Sequence, residues 1–184
     1  MKQLIRTTLL ASTLLFGSQA GAALPLNAPA PDFSTEASLG GQDFTLHLAD
    51  ALKQGPVVLY FYPAAFTEGC TLEARSFAQA IDQYKAYGAT VVGVSADDIG
   101  TLKKFSVSEC AGKFAVAADT DQKIIKAYDA VLDRRPEYAQ RLSYVISPQG
   151  RIIYAYSDMN PEHHVANTLQ ALHDWRATQA TAAK

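Results

Sequence analysis

Cys70 and Cys110 are the two thiols in a chain of 184 residues. Cys70 closes the stretch Pro63-Ala64-Ala65-Phe66-Thr67-Glu68-Gly69-Cys70, which follows an apolar run and leads into a helical pattern. A cysteine that serves only packing belongs on an apolar face. This one stands among Thr67, Glu68 and Gly69, a setting for a sulfur that reacts. The first turn of a helix presents unpaired N–H groups and the positive end of the helix dipole, and both favour an anion over a neutral thiol. Thr67, three residues earlier, can turn its hydroxyl toward the sulfur or toward a bound oxygen. Pro63 ends the strand without offering an N–H and can wall off one side of a pocket. Taken singly, Pro63 terminates a strand, Thr67 caps a helix and Cys70 fills a small apolar space. Their combination points to thiolate chemistry.

Such chemistry needs elements to hold it. Residues 57–62 are continuously apolar or aromatic, as in a strand covered on both faces. The spacing of Leu72, Phe77, Ile81 and Tyr84 predicts a helix over 69–84, stopped by Gly88, and 90–95 read as a second buried strand. Together they make a βαβ unit with a parallel strand pair. Residues 43–48 alternate as a short strand, and the Pro-rich segment 24–34 reads as extended. A helix is expected over 99–109 with Leu102, Phe105 and Val107 facing inward, then a strand over 114–118 and a helix over 122–128. Residues 143–146 and 151–157 form a hairpin around Ser147-Pro148-Gln149-Gly150. Asn160-Pro161-Glu162 opens a last helix to about residue 177, with an N-cap and then proline at the first helical position. This order predicts an α/β chain with a thioredoxin-like fold, a mixed central sheet flanked by helices.

Pro-x-x-x-Thr-x-x-Cys, placed after an apolar strand and at the start of a helix, resembles the active-site motif of the peroxiredoxins. The resemblance covers most of the chain after the first 23 residues. Ala30-Pro31-Asp32-Phe33 matches the family's opening segment, and residues 57–63 match its strand before the cysteine. Arg141-Leu142-Ser143-Tyr144-Val145-Ile146, with Pro148-Gln149-Gly150-Arg151-Ile152, resembles the family's Arg-bearing strand and hairpin. Gly69-Cys70-Thr71-Leu72-Glu73-Ala74 is similar to the branch called Q-type, or bacterioferritin comigratory protein. The resemblance implies a thiol-dependent peroxidase for hydrogen peroxide or small organic hydroperoxides, working without a cofactor. Cys70 would attack one peroxide oxygen in line and become a sulfenic acid. Charge spreads onto two oxygens in that attack, so fixed donors lower the barrier. The implied donors are the Thr67 hydroxyl, the Cys70 N–H and the Arg141 guanidinium, whose planar fork a lysine lacks. Glu73 is expected either to orient an arginine or to be an exposed helix acid. Arg134 and Arg135, in a loop, read as surface charge. A thioredoxin-like protein or a small thiol would serve as reductant, to a monomer or a homodimer.

One position departs from the branch. Much of it carries a second cysteine five residues after the first, where this chain has Arg75. Cys110 is then the remaining internal candidate for resolving the sulfenic acid, near the end of the helix expected over 99–109. A bridge needs the two Cα atoms within about 7 Å, so a more distant thiol requires local unwinding. Gly112, Ser106 and Ser108 suit such unwinding. The alternative is a buried Cys110 beside Phe105 and Phe114, with an outside thiol reducing Cys70.

Other constellations are weaker. His163 and His164 are adjacent and cannot share a helix face, so they read as solvated residues of a helix start rather than metal ligands. His47 and His173 have no ligand spacing. Tyr60, Tyr62, Tyr154 and Tyr156 alternate along two strands as packing residues. No GxGxxG, P-loop or GxSxG motif is present. Disulfide exchange through Cys-x-x-Cys is excluded, because residues 67 and 73 are Thr and Glu; Phe66 and Ala74 exclude the Cys-x-x-x-Cys of copper handling. A reading from another class is a redox-inactive binding module on the same fold.

A composition of 48% hydrophobic and 18% charged residues suits one domain with a full core. The net charge of -2 carries no Lys/Arg block, so nucleic acid and anionic membrane are poor partners. Residues 1–23 contain Lys2 and Arg6, an apolar stretch over 9–16 and small residues up to Ala23. They read as a secretory signal peptide, too short in its apolar part to span a bilayer. Small-x-small patterns place the cleavage between Ala20 and Leu24 and leave 24–184 as a single domain. Export, to a periplasm or outside the cell, implies a compartment where disulfides persist.

Overall fold

The computed structural model describes residues 23–182, so the signal-peptide reading lies outside the described residues except at Ala23. A hairpin of β1 (Ser34–Leu39) and β2 (Gln42–His47) comes first, then α1 (Leu48–Gln54) and β3 (Val57–Phe61). Next come α2 (Glu68–Ala86), β4 (Thr90–Ser95), α3 (Ile99–Ser108), β5 (Ala115–Ala118) and α4 (Lys123–Ala127). β6 (Leu142–Ile146) and β7 (Ile152–Ser157) form the late hairpin, and a 3-10 turn (Pro161–His163) runs into α5 (His164–Ala182). The strands make one seven-stranded sheet in the order β2-β1-β5-β4-β3-β6-β7. β3 with β4 and β4 with β5 are parallel, each joined through a helix; the other pairs are antiparallel. This is the expected mixed α/β arrangement.

Strand periodicity divides the core. Val57, Leu59 and Phe61 of β3 face the layer that holds Leu48 and Leu52 of α1 and Ile124 and Ile125 of α4. Val58 and Tyr60, with Tyr62 just beyond, face the layer that holds Phe77 and Ile81 of α2, Phe105 of α3 and Leu172 of α5. Tyr60 stacks on Phe77 with ring centroids 4.4 Å apart. Gly93 on β4 makes room for it, because a Cβ there would lie 2.8 Å from the Tyr60 ring. Cys70 and Cys110 both belong to this second layer.

Several expectations need correction. β1 and α1, with two buried positions apiece, were not expected from the sequence. Leu72 and Val107, expected inward, are exposed. α5 continues to Ala182 rather than ending near 177, because its last residues contain no glycine or proline to stop it. Among the described residues no helix is long and apolar enough to cross a membrane.

Candidate active site

Sheet register brings Cys70 to an arginine far away in the chain. β3 and β6 pair antiparallel with Phe61 opposite Leu142, so the segment leaving β3 passes beside the residue that enters β6. The first supplies Cys70 and the second Arg141. The Arg141 Nη2 group donates to Cys70 Sγ at 3.5 Å across 71 residues of sequence. Cys70 lies in the first turn of α2, behind Thr67 at the N-cap, and is 2% exposed. Upstream, the Ala65 N–H donates to Asp97 Oδ2 at 2.7 Å, and the Ser95 hydroxyl donates to the same oxygen at 2.8 Å. Asp97 follows β4 and therefore ties the Cys70 loop to the neighbouring strand. Phe66 takes a left-handed φ of 64° and sets its ring edge-on to Phe105, 5.2 Å between centroids.

Arg141 is fixed at three points. Nε donates to the Met159 carbonyl at 3.0 Å, Nη1 donates to Glu73 Oε2, and Nη2 faces the sulfur. Burial opposes its charge, but Glu73 and Cys70 outweigh burial and hold its pKa above the ordinary value. Glu73, one turn beyond Cys70, is fully buried. Burial pushes its carboxyl up to about 8 despite the pull of Arg141. Gly69 leaves space for the guanidinium, since a Cβ there would sit 3.1 Å from Nη2.

Cys70, Glu73 and Arg141 thus come together, with Pro63 half-buried at the end of β3. Glu73 is a buried orienting carboxylate, not an exposed helix acid. Thr67 differs from expectation: its hydroxyl donates to the Ala64 carbonyl at 2.9 Å and does not cap the helix. Its proton is committed to the loop, so the oxygen is left as an acceptor.

Cys110 lies in the turn directly after α3, fully buried, and burial pushes its thiol far above the ordinary range. Both cysteines are free thiols. Arg75, where a second cysteine was sought, pairs with Glu109 at 2.8 Å, the residue before Cys110. Arg134 and Arg135 are exposed, as expected.

The histidine reading divides. His163 is exposed, but His164 is fully buried and is not a solvated helix residue. The missed signal was the spacing of His164, Thr168 and Leu172, one inward stripe of α5 at four-residue intervals. Asp97 was missed as well; its signal was a carboxylate at the carboxyl end of a buried parallel strand, where α/β sites collect. Among the described residues no group of three or more His, Cys, Asp or Glu side chains is placed to hold a metal ion.

This geometry has known counterparts. Residues 26–155 match the family model described as the AhpC/TSA family. The chain is 34% identical over 136 residues to a chloroplastic peroxiredoxin Q of Triticum aestivum, covering 73% of this chain and 62% of that one. It therefore spans less than two thirds of that relative's length. It is 33% identical over 149 residues to a Helicobacter pylori relative bearing the name bcp, covering 78% of this chain and 94% of that one. The crystal structure of peroxidoxin BcpB from Mycobacterium tuberculosis shares the fold with a TM-score of 0.73 at 24% identity, over 81% of this chain and 96% of that one. With the matched segment running from ahead of β1 into β7, the chain belongs to the AhpC/TSA family, in the peroxiredoxin branch whose members are named Q and bcp.

Proposed function

We propose that the protein is an exported thiol peroxidase that reduces hydrogen peroxide or small organic hydroperoxides through Cys70. The observation that carries this reading is the Arg141 guanidinium at 3.5 Å from a buried Cys70 sulfur at a helix N-terminus. The thiolate attacks one peroxide oxygen, the O–O bond breaks, and the departing oxygen takes a proton to leave as water or alcohol. Arg141 holds the thiolate and faces the charge that develops on the two oxygens. Thr67 accepts the O–H of the incoming peroxide, a role left to it by its bond to Ala64. Pro63 shields one side of the pocket. The resulting sulfenic acid condenses with a thiol, releasing water and forming a disulfide.

That second thiol is Cys110 or a small-molecule or protein thiol from outside. Cys110 starts buried and protonated, so its use requires the turn after α3 to open. Reduced protein given one equivalent of hydrogen peroxide and weighed intact separates these routes. Loss of two hydrogens, absent in Cys110→Ser, identifies the internal bridge; gain of one oxygen identifies a one-cysteine enzyme. Peroxide consumption by Cys70→Ser equal to wild type would remove the catalytic assignment. Export rests on the leader pattern of residues 1–23. Expression of the full chain in a Gram-negative host should give periplasmic protein whose N-terminus lies between residues 20 and 24; a cytoplasmic chain starting at Met1 would refute it.

A further inference from the structure

Behind Glu73 the network continues to a residue that the reaction as described does not use. His164 enters α5 fully buried, its ring edge-on to Tyr156 at 4.8 Å between centroids. Nε2 lies 2.9 Å from the Asp158 carbonyl, which can only accept, so Nε2 carries the proton. Nδ1 of the neutral ring is then an acceptor, and the Ser143 hydroxyl donates to it at 2.8 Å. The same Nδ1 faces Glu73 Oε1 at 3.7 Å. That oxygen is buried and has no hydrogen-bond partner. Two facing lone pairs stand apart, and one proton between them would draw them to hydrogen-bond distance.

We propose that Glu73 Oε1 and His164 Nδ1 hold one exchangeable proton between them, making His164 a positioning residue for the Cys70 site. With the proton in place the pair is neutral, and the Arg141 charge serves the thiolate alone. Once it is lost to solvent, Glu73 is a carboxylate that competes with Cys70 for the same guanidinium. The other titratable groups facing the pair are Arg141 ahead of β6, Asp158 and His163 between β7 and α5, Tyr156 on β7, Tyr84 on α2 and Tyr60 on β3. None of these supplies a hydrogen bond to Oε1. Burial moves the two partners in the directions a shared proton requires, Glu73 up to about 8 and His164 down to about 4.

The inference rests on the peroxidase reading only for its kinetic consequence, so the primary test needs no peroxide. The Glu73 carboxyl is titrated by carbon NMR in full-length reduced protein, its resonance assigned by its loss in Glu73→Gln. His164→Gln keeps a donor for the Asp158 carbonyl but removes the acceptor facing Glu73, and should lower the midpoint by about one pH unit. Ser143→Ala removes the competing donor to Nδ1 and should raise it. An unmoved midpoint in both variants would overturn the proposal, and if His164→Gln does not fold, Ser143→Ala decides alone. The rate of Cys70 oxidation by hydrogen peroxide should show an inflection that moves with the carboxyl midpoint. An active enzyme whose inflection stays put while the carboxyl midpoint moves would also overturn it. A protein inert to peroxide at every pH would instead refute the peroxidase reading and leave the carboxyl titration as the judge.

Discussion

Arg141 illustrates how much one side chain can be asked to do. Its fork meets a carbonyl, a carboxylate and a sulfur at once, and each nitrogen has a different partner. A lysine would keep the charge but could satisfy no such set of fixed directions. Arg141→Lys should therefore slow sulfenic acid formation about 100-fold, the scale of losing one fixed donor to a developing oxyanion; stopped-flow peroxide oxidation measures it, and a change under threefold would contradict this role. Gly69→Ala tests the same geometry from the other side. Its Cβ would press on Nη2 at 3.1 Å, and displacement of the guanidinium should cost about tenfold in the same rate, or ~1.4 kcal/mol, with the thermal midpoint nearly unchanged. Cys70 was legible from its type and flanking pattern and Arg141 from the resemblance to the family's Arg-bearing strand, whereas Glu73 stayed open between an orienting carboxylate and an exposed helix acid. The Thr67 bond to Ala64 was not, since a hydroxyl's partner depends on loop conformation. His164 escaped because its neighbour His163 and the polar residues at the helix start masked a three-residue inward stripe.

Between α2 and the turn after α3 runs the Arg75–Glu109 ion pair, with Arg75 60% exposed and Glu109 11% exposed. It anchors the residue next to Cys110 to the helix that carries Cys70. Opening of that turn must break the pair, and a pair so exposed on one side is worth about 0.2–1 kcal/mol. On the internal route proposed above, Arg75→Ala should therefore speed the Cys70–Cys110 disulfide after peroxide by about 1.4- to fivefold, while leaving sulfenic acid formation unchanged. Quenched-flow alkylation followed by mass analysis separates the steps; an unaltered disulfide rate would mean that the pair does not restrain the turn. The turn itself is tight, with Ala111 and Gly112 at φ of 51° and 65°. Elements with buried periods, β3, α2, β4 and the late hairpin, were legible to within a few residues. β1 and α1 were not, because tertiary packing rather than a readable pattern makes them form.

For the whole molecule, the buried Glu73 and His164 should give stability opposing slopes with pH. Glu73 is raised from 4.5 to about 8, so the native state keeps a proton that the unfolded chain releases; this contribution is full below 4.5 and lost as pH rises through 8. His164 is lowered from 6.5 to about 4, so the unfolded chain takes up a proton that the native state refuses; this contribution is full above 6.5 and lost as pH falls through 4. The two cancel between 4.5 and 6.5, where these two groups leave stability flat. Urea unfolding should show the stability of His164→Gln declining from pH 4.5 up through its lowered Glu73 midpoint and that of Glu73→Gln climbing from 4 to 6.5, where wild type is level between 4.5 and 6.5; parallel profiles for all three proteins would contradict the burial of these charges. The register of β3 against β6 has one more consequence. Cys70 precedes its arginine by 71 residues, so while the chain is being made the thiol emerges well before its guanidinium. On the peroxidase reading, Cys70 meets its guanidinium only once β3 and β6 pair, and a chain cut short before residue 141 keeps the sulfur without it.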